Sequence, residues 1–96
     1  PIFARKCKIK ILSKTERAKF FSENHAQGDC LSQISLGLIY NGELVCAASF
    51  GKLRKALGHI NKSGEWELYR LATKIDTRVV GGASKLISEF VKRITL

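Results

Sequence analysis

The sequence has no apolar run of about eighteen residues, no internal repeat, no low-complexity tract and no linker. The missing run excludes a transmembrane helix, and the charged segment from Pro1 to Lys10 lacks the continuous apolar core of a signal peptide. With 45% hydrophobic and 26% charged residues, the chain has the composition of a globular protein rather than a disordered one. We therefore expect a single domain over residues 1–96, with no membrane as partner.

Cysteine is scarce and forms no recognisable pattern. Cys7, Cys30 and Cys46 lie far apart, no Cys-x-x-Cys pair is present, and His25 and His59 do not complete a zinc spacing. An odd number of cysteines without a disulfide framework is typical of reduced, buried thiols. We expect a cytoplasmic protein with no metal site.

Positive charge is unevenly distributed. The chain carries 17 basic and 8 acidic residues, a net charge of +9, and no lysine or arginine occurs between Phe20 and Gly51. Two basic clusters separated by a neutral middle favour a basic face that binds nucleic acid or another polyanion. An ordinary cationic surface is the alternative interpretation. The candidate phosphate contacts are Arg5, Lys6, Lys8, Lys10, Lys52, Arg54 and Lys55.

The first half of the chain reads as a strand followed by a helix. In "RKCKIKILS", Cys7, Ile9 and Ile11 alternate with lysines, which predicts a half-buried strand with one cationic face. Ser13 and Glu16 then form the Ser-x-x-Glu spacing of a capping box, so a short helix through "ERAKFFSENH" should follow.

The second half predicts a hairpin, a strand and a helix. "ISLGLIY" and "ELVCAASF" are joined by Asn41-Gly42, the strongest short hairpin signal. The polar connection "GKLRKALGHINKSGE" precedes a strand in "EWELYRLATKI", and an amphipathic helix should run from Ala83 to Ile94. Its apolar stripe comprises Leu86, Ile87, Phe90, Val91 and Ile94. This order predicts an α+β domain with a mixed, mainly antiparallel sheet and helices packed on it.

A double glycine, Gly81-Gly82, stands where the last predicted strand passes into the last helix. Glycine lets the backbone approach an anion closely, and free amides at a helix N-terminus favour negative charge. The turn is either a phosphate-binding loop or a structural turn that needs small residues. The candidate binding residues are Arg78, Val79, Val80, Gly81, Gly82, Ala83 and Ser84.

Other candidate residues each have a functional and a structural interpretation. His25 is a candidate general base or DNA contact, or else a residue at the helix C-terminus with Gly28 at the C′ position. Glu67 and Tyr69 lie on one face of the predicted strand. They are candidates for a general base and a general acid, or else they are ordinary solvent-facing residues. Trp66 would stack on a base or, more simply, pack in the core. Arg70 either lies on the apolar side with Leu68 or marks a slip of the pattern near the strand centre. If it is buried, its partner would be Glu43 or Asp76, and we expect it to be structural.

Several motifs resemble a known superfamily. Arg78-Val-Val-Gly81-Gly82-Ala83 resembles the R/Q-x-x-G-x-G/A loop of the GNAT-type N-acyltransferases, which holds the pyrophosphate of coenzyme A. Over nearly the whole chain, "ARKCKI", "ENHAQG", "YNGELV…SFG" and "ELYRLATK…VVGGASKL" are similar to phage-encoded homing endonucleases or their accessory domains. That family in turn resembles phage DNA-modification proteins of the Mom type.

The resemblance implies a GNAT-like fold, an origin in a phage-infected bacterial host and a role on DNA. It also implies acetyl-CoA or another acyl-CoA as the ligand of the glycine loop. The family continues past the final helix into a further strand, helix and strand, so the resemblance implies a domain incomplete at its C-terminal end, with half of the acyl-CoA cleft missing. No GIY-YIG pair, HNH cluster or D…ExK run is present. We therefore expect a nucleic-acid-binding or accessory module, with a CoA-dependent N-acyltransferase or degenerate relative as the alternative. A third possibility is a scaffold completed by a strand from a partner chain or a second copy.

Overall fold

The computed structural model describes residues 1–52 and 65–95, which form six strands, two α-helices and one 3-10 helix. The polar connection predicted between the hairpin and the next strand lies largely outside these described residues, and so do Arg54 and Lys55. In chain order, the elements are β1 (Ile2–Phe3), the 3-10 helix (Ala4–Lys6), β2 (Lys8–Ile11), α1 (Lys14–Asn24), β3 (Ile34–Tyr40), β4 (Glu43–Lys52), β5 (Trp66–Thr73), β6 (Val79–Val80) and α2 (Gly82–Ile94).

The central element is a four-stranded antiparallel sheet in the order β2-β3-β4-β5, as an α+β domain requires. The short strands β1 and β6 form a separate parallel pair. Helix α1 packs on β4 and β5, whereas α2 packs on β3, β4 and the 3-10 helix. Because the two helices contribute to separate clusters of buried residues, the sheet is covered on both faces. Neither described helix combines the length and apolar character needed to cross a membrane.

The larger core lies between α2 and the sheet. Phe90 of α2 stacks on Phe50 of β4 with the ring centroids 3.9 Å apart, and Trp66 meets Phe90 edge-on at 5.3 Å. Leu86, one turn earlier in α2, is fully buried. The ring of Trp66 is therefore a packing element of this core. Such aromatic pairs add about 1 kcal/mol beyond the burial of their surface.

The smaller core lies between α1 and the other face of the sheet. Phe20 and Phe21 of α1 pack there with Leu12, Ala47 and Ala72. The buried side chains that β4 and β5 contribute to this cluster are the alanines, with Leu44 packed beside them, so the two phenylalanines can approach the backbone of the sheet. The alternation of large and small residues across the interface is what close packing of a helix on a sheet requires.

The first predicted strand is shorter than the alternation of lysines suggested. Ala4–Lys6 forms the 3-10 helix, and the strand begins only at Lys8. Cys7 and Ile9 do face the larger core, but Ile11 is 57% exposed, so its predicted place on the apolar face was wrong. The next residue, Leu12, is buried in the smaller core instead, because the chain leaves the sheet there to enter α1.

The local signals of the first helix and the hairpin are confirmed. The Ser13 hydroxyl accepts a hydrogen bond from the Glu16 amide, and the Glu16 carboxylate accepts one from the Ser13 amide. Asn41 and Gly42 have φ of 50° and 79°, as their two-residue hairpin turn requires. The C-terminal interpretation of α1 needs one correction. His25 is the C-cap, so the C′ position belongs to Ala26, and Gly28 lies further along in a turn.

The side-chain pattern of β5 slips at Tyr69. A register shift against β4 pairs Leu68 with Phe50 and Arg70 with Ser49, which leaves Tyr69 as the extra residue of a β-bulge. Arg70 therefore points to the same face as Ala72. Its guanidinium donates to the carbonyls of Gly28 and Tyr69.

The apolar stripe of α2 is narrower than predicted. Leu86 and Phe90 are buried and Ile94 packs at the edge of the core, but Ile87 and Val91 are 39% and 47% exposed. Lys85, on the other flank of Leu86, reaches the 3-10 helix, so Ile87 lies on the flank toward β5. Nothing among the described residues covers that flank completely.

Candidate functional site

Pairing of the two shortest strands brings the start of the chain to the glycine turn. Ile2 lies beside Val79 and Phe3 beside Val80 in a parallel register. The amide of Ile2 also donates to the carbonyl of Arg78 at 2.9 Å. The segment from Ile2 to Arg5 and the turn therefore form one surface, although about seventy residues separate them in the sequence.

Gly81 ends β6 and caps α2. Its φ of 80° lies in the left-handed region, which explains why glycine is present there. The first intrahelical hydrogen bond runs from the amide of Lys85 to the carbonyl of Gly81. No side chain caps the helix start, so the amides of Gly82, Ala83 and Ser84 have no intrahelical acceptor. This end of the helix is therefore electropositive and turned toward solvent at Ser84.

Gly82 has a purely structural explanation. A Cβ at this position would lie 3.0 Å from the sulfur of Cys46 and 3.2 Å from Cγ1 of Val79. The glycine therefore allows the helix start to pack directly on β4. A Cβ at Gly81, in contrast, would meet only the Cβ of Ala4, at 3.7 Å. Of the two glycines, only Gly81 borders open space.

A shallow cavity of about 390 Å³ opens beside this helix start. Its lining combines the exposed ring of Phe3, the side chain of Arg5 and the beginning of α2. The ammonium group of Lys85 donates to the carbonyls of Ala4 and Cys7 at 2.9 and 2.7 Å, so it holds the 3-10 helix against α2. The complete lining is Phe3, Ala4, Arg5, Val80, Gly81, Ser84 and Lys85.

The predicted phosphate contacts separate into three groups. Arg5, Lys6 and Lys8 are exposed and lie close together in the chain, and Arg5 lines the cavity. Lys10 forms an ion pair with Glu16, and Lys52 lies over the ring of Trp66 at 4.4 Å. Arg54 and Lys55 lie outside the described residues. The structure thus leaves the first group as the cations best placed to meet an anion.

The candidate catalytic residues do not gather around the glycine turn. Glu67 and Tyr69 lie in the first half of β5, whereas the turn follows its far end and lies on the face of α2. The hydroxyl of Tyr69 donates to the carbonyl of Lys52 at 2.6 Å. His25 lies at the end of α1, on the opposite face, where its Nδ1 accepts from the amide of Gln27. These three side chains are therefore remote from the predicted cofactor loop.

The buried ion pair between Arg17 and Asp29 was missed by sequence reasoning. The guanidinium donates to both carboxylate oxygens, at 2.8 and 3.0 Å, and the Arg17 side chain is only 8% exposed. The pair fastens the segment after α1 to the middle of that helix. Its one sequence signal was the position of Arg17 one turn before Phe20 and Phe21, which did not identify the partner.

The thiols have no obvious chemistry. All three cysteines are free; Cys7 and Cys46 are buried as expected, but Cys30 is only half-buried. Burial raises the pKa of the Cys7 and Cys46 thiols, so both are poor nucleophiles near neutral pH. Within residues 1–52 and 65–95, no three histidine, cysteine, aspartate or glutamate side chains are grouped as a metal site would need.

Comparison with protein-family models, with curated proteins and with solved structures finds no match to this chain. Any function must therefore be argued from the surface that the fold assembles around the glycine turn.

Proposed function

We propose that this domain is a nucleic-acid-binding or accessory module of a phage protein that acts on DNA. The observation that supports the proposal most directly is the meeting of the exposed Arg5 with the uncapped start of α2. Arg5 and this helix N-terminus, contributed by opposite ends of the described chain, border one open surface, and the exposed Lys6 and Lys8 follow Arg5 in the chain.

Phosphate groups are the natural partners of such a surface. Lysine and arginine neutralise backbone phosphates and release counterions, while helix amides donate hydrogen bonds to phosphate oxygens. Contacts of this kind bind any sequence, so the proposal does not include sequence specificity. The net charge of +9 adds long-range attraction to the same class of partner.

Salt dependence tests this proposal. If about five phosphates are neutralised, the slope of log affinity against log salt on duplex DNA should be about −4 to −5. Replacing Arg5, Lys6 and Lys8 together by glutamine should make the slope less negative by about 2 to 3. A matched variant carries glutamine at Lys14, Lys19 and Lys92, which has the same net charge and should change the slope by less than about 1. Absence of DNA binding at low salt, or an equal change of the slope in both variants, would contradict the proposal.

A second candidate is a CoA-dependent N-acyltransferase or a degenerate relative of one. It is favoured by the left-handed Gly81 and the three helix amides that follow it, because such a turn suits a pyrophosphate. The order of strand, helix, hairpin, strand and helix, with α1 and α2 on opposite faces, also supports a GNAT-like arrangement. Arg78, which is exposed beside the turn, would supply the charge.

Calorimetric titration with acetyl-CoA separates this candidate from the first. Saturable binding at one site, weakened by Arg78→Gln and by Gly81→Val, would place acyl transfer ahead of nucleic-acid binding. A side chain at Gly81 has room but is strained by the φ of 80°, so thermal unfolding must show that Gly81→Val remains folded; a side chain at Gly82 would disturb the packing on Cys46. Binding of DNA without binding of acetyl-CoA would leave the first proposal standing alone.

A further inference from the structure

We propose that Phe3 is a stacking surface for an unpaired base, so that the nucleic acid this domain takes is single-stranded. The inference rests on the proposed function and adds to it the class of nucleic acid and a residue that reads it. It starts from a partly exposed aromatic side chain that lines the cavity.

The orientation of β1 and β6 puts two large apolar side chains into solvent. Ile2 and Val79 pack against the larger core, and their neighbours Phe3 and Val80 therefore face outward. Phe3 is 37% exposed and Val80 is 38% exposed. The two lie opposite each other in the register and form an apolar rim on a cavity that is otherwise bordered by cations and helix amides.

Phe3 differs from every other aromatic residue of the chain. All eight of them lie within the described residues, and only Phe3 is exposed. Trp66, the other candidate for stacking, packs edge-on against Phe90, and the Lys52 ammonium group lies over its ring.

Arg5 completes the arrangement. Its guanidinium lies over the Phe3 ring, 4.8 Å from the ring centroid, so a cation and an aromatic ring are held together on this surface. A nucleotide presents the same combination, a flat base joined to a phosphate. Proteins that bind single strands use aromatic rings for the bases and cations for the backbone.

Duplex DNA cannot use Phe3 in this way. Its bases are stacked on one another and paired, so a duplex offers only phosphates to this surface unless a base is first extruded, which costs a few kcal/mol. Exchange of Phe3 should therefore affect the binding of single strands selectively. A purely electrostatic surface would show no such difference.

The test compares a fluorescent 15-nucleotide oligothymidylate with a duplex of the same length by anisotropy at low salt. Phe3→Ala should weaken binding of the single strand by about 5- to 100-fold, the range expected for one stacked base, and should change duplex binding by less than about twofold. Phe3→Trp should restore the affinity for the single strand. Leu31→Ala, which removes an even more exposed apolar side chain, is the matched control and should change neither.

Thermal unfolding of Phe3→Ala checks that the domain remains folded. Equal losses on single strand and duplex, or no loss on either, would overturn the role of Phe3 while leaving the proposed function intact. Thymidine monophosphate binding as tightly as the oligonucleotide would overturn the assignment to a strand. A wild-type domain that binds neither DNA would overturn the proposed function, and this inference with it.

Discussion

Gly82 packs so closely on Cys46 that a methyl group at the glycine would lie 3.0 Å from the cysteine sulfur. Gly82→Ala should therefore destabilise the domain by about 1–3 kcal/mol through overpacking. Cys46→Ala would remove the obstructing sulfur, so the double variant should lose less than the sum of the two single changes. Urea denaturation of all four proteins measures this coupling. Additive losses would show that the glycine is needed for another reason.

Gly81 should respond differently from its neighbour. A Cβ at this position has room, with Ala4 at 3.7 Å, but the φ of 80° is strained for any residue with a side chain. Gly81→Ala should cost about 1 kcal/mol in the free energy of unfolding, and Cys46→Ala should not relieve it. A coupling between Gly81→Ala and Cys46→Ala would contradict this separation.

Loss of Asp29 should be among the more damaging polar changes. Asp29→Asn leaves the buried Arg17 guanidinium without its counter-charge, at an expected cost of about 3 kcal/mol. Glu23→Gln, which breaks the exposed pair with Lys19, is the control and should stay within about 0.5 kcal/mol. Both costs follow from chemical denaturation at neutral pH. Equal losses of stability in the two variants would show that the buried pair contributes no more than the exposed one.

The capping box predicts an acid-sensitive start of α1. The pKa of the Glu16 carboxyl is lowered, most strongly by a hydrogen bond from the Lys10 ammonium group and next by one from the Ser13 amide. Because the folded pKa is lower than the unfolded one, the stabilisation is present at neutral pH and is lost as the pH falls through the folded pKa. Glu16→Gln should therefore flatten the stability profile in the acid range. Ser13→Ala should cost about 1 kcal/mol at neutral pH, measured by denaturation.

The outer edge of β5 leads to a prediction about assembly. Among the described residues, β5 has a strand partner on one side only, and Ile87 and Val91 expose apolar surface on the flank of α2 toward it. If a partner chain or a second copy adds a strand there, sedimentation should show a mass that rises with protein concentration. Val91→Lys should then suppress the rise, and Leu31→Lys should not. A monomer at every concentration would contradict self-association.

The predictions that held rest on short-range chemistry. Asn41-Gly42 forms its turn because neighbouring residues can adopt positive φ, and Ser13 caps α1 because Glu16 lies one helical turn away. Where a pattern had to extend over a whole element, it failed at an end or at an irregularity. Ile11 lies at the point where the chain leaves the sheet, and β5 slips at Tyr69 because of a β-bulge near its centre.

The candidate site illustrates the same division. The basic segment and the double glycine were visible in the sequence, but their meeting depends on the pairing of β1 with β6. The exposed Phe3 emerged only once its backbone register was known, since a phenylalanine near lysines looks like any core residue. Likewise, Asp29 could not be assigned to Arg17 from their spacing alone.

The sequence by itself determined the longer helices and strands of this protein, its charge and the chemistry available at each position, because those properties depend mainly on residues within a few positions of one another. Tertiary structure decided which glycine turns the chain and which one packs, which lysines remain open to an anion, and which aromatic ring faces solvent. Those outcomes depend on contacts between residues far apart in the chain, where one added carbon or one slipped pair changes which face a side chain occupies.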